Sequence, residues 1–305
     1  MKSPLAVVKE SLMSTLLVLL QYIVPQQLIS YLAGKLADGK LFKNQLIRLF
    51  VRRYNVDLSE SKIEDIHQFK NFNAFFTREL KPGARPAASV SGAILCPADG
   101  AISQLGAISN NNLLQAKGRF FSLDALLGGE SQLAEQFQEG CFATVYLSPR
   151  DYHRVHMPLG GRLLKMIYIP GRLFSVNQAT AGRIPNLFAR NERVVCLFQT
   201  DAGVMAVILV GAMIVSGIET IWSGQVGTTA GSGAIRSTGY SEHSPPIEIA
   251  RGSEMGRFKL GSTVIVLFTH GAITLETDLK AQTPVRMGQL LGRLNGVDAN
   301  AKKPV

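Results

Sequence analysis

Cysteine is scarce in this chain. Cys96, Cys141 and Cys196 stand far apart among 305 residues. Their odd number and the lack of a C-x-x-C pair exclude a disulfide framework and a cysteine-based metal cluster. Cys141 and Cys196 lie inside apolar runs and read as small core residues, and a reducing compartment is expected. A long apolar run is also missing. Residues 11–34 carry no formal charge, but the apolar stretch from Leu16 is interrupted at Gln21 and stops at Val24, before Pro25. Those nine residues would make about 14 Å of helix, against a hydrocarbon core of roughly 30 Å. No small-x-small site follows cleanly, so a secretory signal fits poorly. The basic residues form no dense tract and no nucleic-acid module, so the net charge of +10 is not read as a nucleic-acid footprint. No internal repeat and no cofactor motif is visible.

What is present describes a globular protein. Hydrophobic residues make up 46% of the chain and charged residues 18%, enough apolar matter for one large domain or a domain with an appendage. The positive charge is concentrated early, with 13 Lys/Arg against 7 Asp/Glu in residues 1–90. Basic residues interleaved with apolar ones favour an anionic membrane surface. Leu12, Leu16, Leu19, Leu20 and Ile23 recur at helical spacing and predict an interfacial helix. The alternative is a core helix of a soluble protein.

The first 80 residues read as helical. Ile29, Leu32, Ala33 and Leu36 continue one apolar face, and Leu46, Ile47, Leu49 and Phe50 form another. Asp57-Leu58-Ser59 reads as a further helix start, and Phe69, Phe72, Phe75 and Phe76 as an aromatic cluster. Lys81-Pro82-Gly83 signals a turn. Beyond it the texture is β. Strands are predicted at 141–147, 163–169, 193–199, 204–215 and 262–269, with a hairpin turn at Asp201-Ala202-Gly203. Residues 224–241 hold five glycines and predict a loose functional loop. The expected class is α+β: a helical membrane-surface region at 1–85, then a mostly antiparallel β catalytic core at 86–305.

Four residues carry candidate chemistry. Ser262 follows Gly261, and a serine hydroxyl can attack the carbonyl before it, turning amide into ester, most easily where glycine leaves that carbonyl uncrowded. On its own Gly-Ser is an ordinary turn pair. His153 and His156 lie in a segment bracketed by Pro149 and Pro158, which disfavours a helix. Extended backbone points the two rings to opposite faces, suited to two separate tasks. A metal site would need a third ligand cluster, and structural roles remain open for both histidines. Asp99, between Pro97-Ala98 and Gly100, reads alone as an Asx turn. Together, however, an Asp, a His and a Ser are the parts of a nucleophile-activating relay, which works in any chain order.

Pro97-Ala98-Asp99-Gly100, Tyr152-His153-Arg154-Val155-His156-Met157-Pro158 and Gly256-Arg257-Phe258-Lys259-Leu260-Gly261-Ser262-Thr263 together closely resemble the bacterial, pyruvoyl-dependent phosphatidylserine decarboxylase family. Phe75-Phe76-Thr77-Arg78, Leu80 to Pro86, Lys117-Gly118-Arg119, Pro170 to Asn177 and Asn186 to Arg193 match as well. The likeness runs in order from about residue 60 to 290, and residues 224–247 show little of the family pattern.

The resemblance implies a carboxy-lyase proenzyme that cuts itself between Gly261 and Ser262. The products would be a β chain of 1–261 and an α chain of 262–305, paired as a heterodimer, with room for a homo-oligomer of that pair. Asp99, His156 and Ser262 would form the cleavage relay, and His153 would serve the decarboxylation step as proton donor or substrate positioner. Ser262 would become a covalent pyruvoyl group, the only cofactor, whose carbonyl takes up the electron pair left when CO₂ departs. No metal and no nucleic acid is expected. The substrate would be phosphatidylserine in an anionic membrane, and the enzyme a peripheral protein on the cytoplasmic side of the cell membrane. A Ser/His/Asp lipid hydrolase is the rival enzyme, but Ser262 lacks a G-x-S-x-G elbow. A non-enzymatic membrane-surface protein is the other rival.

Overall fold

The computed structural model describes residue 15 and residues 18–213, 217–227, 233–259 and 262–296. Leu12, Leu16, Leu260 and Gly261, named above, lie outside them.

The N-terminal region is helical. A helical segment at 18–23 ends before Pro25 and is followed by α1 (Gln26–Asp38), α2 (Lys43–Tyr54) and the short α3 (Phe72–Phe76). Asn71 caps α3, its side-chain oxygen accepting from Ala74 N at 2.8 Å. Ala37, Ile47, Val56 and the four phenylalanines of the expected cluster bury one another. Phe50 meets Phe72, Phe75 and Phe76 edge-on, with ring centroids 5.2–5.9 Å apart.

α1 is packed inside out. It buries Gln26, Ser30, Gly34 and Ala37 and leaves Leu28, Leu32 and Leu36 more than half exposed. The reason is its docking partner, a polar backbone loop. Gln26 Oε1 accepts from Leu173 N and Gln21 Oε1 from Ser175 N, both at 2.8 Å. Arg190 lies over the rings of Tyr22 and Phe174 at 5.5 and 4.9 Å. The apolar face predicted for Ile29, Leu32 and Leu36 therefore points outward. Among the described residues, no helix is long and apolar enough to cross a membrane.

Asp57 does not start a helix. Its carboxylate accepts from Ser59 N at 2.8 Å in a local turn. The segment then spends its backbone bonds on residues 79–81: Lys62 N donates to Glu79 O and Lys81 N to Glu60 O, both at 2.9 Å. A segment paired this way has no groups left for i→i−4 bonds.

The β region contains β1 (Gly100–Ala107), β2 (Cys141–Leu147), β3 (Arg154–His156), β4 (Gly161–Ile169), β5 (Arg193–Thr200), β6 (Gly203–Gly211), β7 (Gly217–Thr220), β8 (Glu254–Lys259) and β9 (Ser262–Phe268). A nine-stranded antiparallel sheet runs in the order 236–239, β4, β5, β6, β9, β2, β1, 284–285, with 248–249 also on β4. A four-stranded sheet has the order 224–226, β7, β8, β3, and a three-stranded one joins 93–95, 290–294 and 273–275. The loose 224–241 stretch thus supplies two short strands. The α+β class expected from the sequence holds, with helices first and an antiparallel β body after.

β9 is the centre of the large sheet. All seven of its residues are buried, and it pairs in full register with β2 on one side and β6 on the other. Such a strand reads as a continuous apolar run because both faces are covered. Val264, Val266 and Phe268 belong to the core beneath the smaller sheets, and Ile265 and Leu267 to the core beneath the short helices. Each such fully buried side chain contributes roughly 1.5–3 kcal/mol.

Candidate active site

Ser262 is the first residue of β9, flanked by Leu147 of β2 and Gly211 of β6. By alternation its side chain shares the face of Val264 and Val266. It is fully buried, and its Oγ has no hydrogen-bond partner among the described residues. The chain reaches it from β8, a strand of the four-stranded sheet. β8 ends at Lys259 in the four-stranded sheet, and β9 begins at Ser262 in the nine-stranded one.

β3 is the other outer element of this region, pairing with β8. His153 precedes it, its carbonyl accepting from Phe258 N at 3.0 Å. Its ring is fully buried against Phe76, 4.0 Å between centroids. His153 Nδ1 lies 2.8 Å from the Asp151 carbonyl. A carbonyl only accepts, so Nδ1 carries the proton and Nε2 is left with its lone pair. That Nε2 is buried and has no partner among the described residues. Burial pushes the His153 pKa down to about 3, so the ring is neutral at physiological pH.

His156 has neither nitrogen free. Nδ1 donates to Gly252 O at 2.8 Å, and Nε2 accepts from the Tyr152 hydroxyl at 3.0 Å. Burial again lowers its pKa. The two residues differ in burial, as extended backbone leads one to expect: His153 is fully buried, and His156 is partly buried.

Asp99 sits just before β1 and is buried. Arg85 grips its carboxylate, Nε to Oδ1 at 2.9 Å and Nη2 to Oδ2 at 2.6 Å, and Met287 N donates to Oδ1 at 2.9 Å. Gly100 follows at φ +154°, where a Cβ would overlap the Tyr146 carbonyl oxygen, so only glycine lets β1 close on β2 here. Of the four candidates, Ser262 and His153 each present a buried orphan atom. Asp99 and His156 are engaged elsewhere: among the described residues no hydrogen bond joins Asp99, His156 and Ser262.

Two family models match the sequence. One, described as phosphatidylserine decarboxylase, covers residues 72–293, and a second, described as PSD, covers 16–55. The chain belongs to the phosphatidylserine decarboxylase family. It is 57% identical over 280 residues to the phosphatidylserine decarboxylase proenzyme of Ectopseudomonas mendocina (strain ymp), covering 91% of this chain and 97% of that one. The proenzyme of Pseudomonas aeruginosa is 57% identical over 274 residues (89% and 94%), and that of Pseudomonas putida (strain GB-1) 55% over 281 (91% and 97%).

Within this decarboxylase, four further side chains shape the site and received no role from the sequence. Arg85 fixes Asp99. Tyr152 occupies His156 Nε2. Arg154 ties β3 to Glu254 at 2.7 Å and to Thr77 O at 2.9 Å. Arg78, almost fully buried, lines the same cavity as Tyr152. All four fall in stretches that match the family. Arg154 and Arg78 find their partners 72 or more residues away, whereas Arg85 and Asp99 are 14 apart and Tyr152 and His156 four, and a single sequence gives no pairing at either range.

Proposed function

We propose that the chain decarboxylates phosphatidylserine to phosphatidylethanolamine and CO₂, using a pyruvoyl group made from Ser262 by cleavage of its own Gly261–Ser262 bond. The observation that carries this reading is the buried, unpartnered Ser262 Oγ at the start of β9. A buried hydroxyl without a partner costs roughly 1–3 kcal/mol, and an attack on the preceding carbonyl gives it a use. Family membership and the proenzyme names of the relatives support the same chemistry.

In the cleavage, Oγ loses its proton to a base and bonds to the Gly261 carbonyl carbon, and the amide nitrogen leaves as an amine. Elimination then returns a carboxylate to Gly261 and leaves a dehydroalanine at 262. Water enters and ammonia departs to give the ketone. That pyruvoyl carbonyl supplies the electron sink for loss of CO₂. The site fits it: the position is dry, held on both sides by β2 and β6, and carries no competing side-chain hydrogen bond.

The family likeness assigns the base to His156, oriented by Asp99, and leaves His153 to the decarboxylation. For His156 to act, Tyr152 must first release Nε2. A second reading is favoured by the free lone pair on His153 Nε2, which is already the base form: His153 takes the Ser262 proton. Neutral His153 is also a poor proton donor to the substrate carbon, and burial opposes its protonation. Alanine variants separate the two. His156→Ala uncut with His153→Ala cut but inactive supports the first; the reverse supports the second.

After cleavage, β9 remains between β2 and β6, and the strands at 273–275, 284–285 and 290–294 pair with partners before residue 110 or within the α chain. That pairing supports a noncovalent heterodimer. The outward leucines of α1, with Lys35, Lys40, Lys43, Arg48, Arg52 and Arg53 nearby in sequence, support peripheral attachment to an anionic cytoplasmic leaflet, where each cation adds about 1 kcal/mol. The test of the whole reading is intact mass and activity. The wild type gives residues 1–261 and a pyruvoyl-blocked 262–305 and releases CO₂ from phosphatidylserine, and Ser262→Ala gives one inactive chain. An uncut, active wild type refutes it.

A further inference from the structure

Arg78 stands alone among the buried arginines. It is 5% exposed, and its Nε has no hydrogen-bond partner among the described residues. Of its five N–H donors, Nη2 donates to Arg150 O at 3.2 Å, its one hydrogen bond among the described residues, and its guanidinium lies 5.7 Å above the Phe75 ring. Among the described residues no carboxylate lies within ion-pair distance of it. Arg85 differs, being paired with Asp99 and Glu60. Arg193 also lacks a carboxylate, but it donates to the carbonyls of Leu126, Ala125 and Asn191. A buried cation with most donors unspent is costly, and it lines a cavity of ≈ 430 Å³.

That cavity adjoins the reacting residues. Tyr152, next to His153, lines it, as do Asp99 and Gly100; a Cβ on Gly100 would come within 3.4 Å of Leu147 Cα, and Leu147 is the register partner of Ser262. Its four acids are already engaged: Asp99 by Arg85, Asp151 by the Ser148 N–H and hydroxyl, each at 2.7 Å, Asp57 by Ser59 N at 2.8 Å, and Glu60 by Arg85 and Arg286, each at 2.9 Å. Arg150 also lines the cavity, but its side chain is exposed to solvent; Arg78 is the buried guanidinium of the lining with donors unspent, and such a fork takes two oxygens of a carboxylate or phosphate.

We propose that this cavity is the headgroup subsite and that Arg78 receives the phosphodiester of the substrate. The inference rests on the decarboxylase reading and adds a ligand contact to it. The phosphodiester is favoured over the carboxylate by the chemistry. The carboxylate loses its charge as CO₂ forms, so a cation fixed on it holds the ground state more than the transition state and slows the step. The phosphodiester, three bonds from Cα, keeps its charge from substrate to product, and binding it costs the reaction nothing.

The test uses the processed wild type and Arg78→Gln in detergent, with short-chain phosphatidylserine as substrate and short-chain phosphatidylethanolamine as inhibitor. Phosphatidylethanolamine carries the phosphodiester and no carboxylate. The variant is expected to be cut like the wild type, to raise KM roughly tenfold or more with a smaller change in kcat, and to weaken phosphatidylethanolamine inhibition by the same factor. Arg78→Lys restores part of both. A raised KM with unchanged inhibition moves Arg78 to the carboxylate and overturns the proposal, and so do unchanged kinetics. If Arg78→Gln is not cut, Arg78→Lys alone decides: weaker inhibition than in the wild type supports the contact, and wild-type inhibition overturns it. A wild type that releases no CO₂ refutes the decarboxylase reading instead, and phosphatidylethanolamine binding by the two proteins still reports on Arg78.

Discussion

Arg85 and Asp99 form a buried, forked ion pair, their side chains 7% and 9% exposed. Burial works against the Arg85 charge, yet its hydrogen bonds to Asp99 and Glu60 outweigh that and push its pKa up. Truncating one partner leaves the other buried and uncompensated, which costs about 3–5 kcal/mol. Arg85→Ala is therefore expected to lower the unfolding free energy by that order, measured by denaturant titration in an uncut Ser262→Ala background. In the cleavable chain it should slow processing, because Asp99 and Gly100 fix the edge of β1 beside β2. Arg85→Lys keeps charge but loses the fork and falls between. Wild-type stability in Arg85→Ala would show that Asp99 needs no partner.

Tyr152 and His156 give a sharper test of the cleavage base. The Gly252 carbonyl fixes the proton on Nδ1, so the tyrosine hydroxyl must donate to Nε2. Tyr152→Phe removes that donor and frees the lone pair. If His156 takes the Ser262 proton, cleavage of newly made chain speeds up in Tyr152→Phe, read as the uncut fraction over time on a gel. If His153 takes it, the rate stays at the wild-type value. A slower rate contradicts both and makes the hydroxyl itself a participant.

The exposed side of α1 yields a prediction about surfaces. Of the large apolar side chains exposed among the described residues, only Val90, Phe120, Ile221 and Ile235 lie outside residues 19–54. Leu32→Asp with Leu36→Asp replaces two side chains that are more than half exposed. Co-sedimentation with phosphatidylserine-containing vesicles is expected to fall severalfold, while the thermal midpoint changes little. A large drop in the midpoint would mean that these leucines are covered within the protein.

What was legible in the sequence followed from local physics. The central strand β9 is a run of seven buried residues, and Ser-Thr-Val-Ile-Val-Leu-Phe announces it without any partner. The hairpin at Asp201-Ala202-Gly203 closes β5 on β6 because its turn chemistry is self-contained. The motifs around Asp99, His153, His156 and Ser262 pointed to the family. Non-local pairing was hidden. Gln21 reads in sequence as an interruption of an apolar run, but in the structure it is a dock for Ser175 N, 154 residues away. Asp57 carries the composition of a helix cap, yet the segment after it pairs with residues 79–81. The spacing of Arg85 and Asp99 says nothing of their pairing, and Arg78 is conspicuous only once its burial is known.

His153 ties the site to stability through pH. Burial holds its pKa near 3 in the folded chain, against about 6.5 when unfolded. Between those values the unfolded state binds a proton that the folded state refuses, so stability is fully present above about pH 6.5 and falls as the solution is acidified. The slope is up to about 1.4 kcal/mol per pH unit for this residue. His156, also lowered by burial, adds a further contribution of the same sign. In the Ser262→Ala background, the unfolding free energy should drop between pH 7 and pH 5, and His153→Gln should flatten that drop because glutamine takes up no proton. The flattening, not the absolute loss, is the readout: glutamine in a fully buried site lowers stability at every pH. An unchanged slope in His153→Gln would mean that the folded chain takes up the His153 proton as readily as the unfolded one, so that burial does not hold the ring in its neutral form.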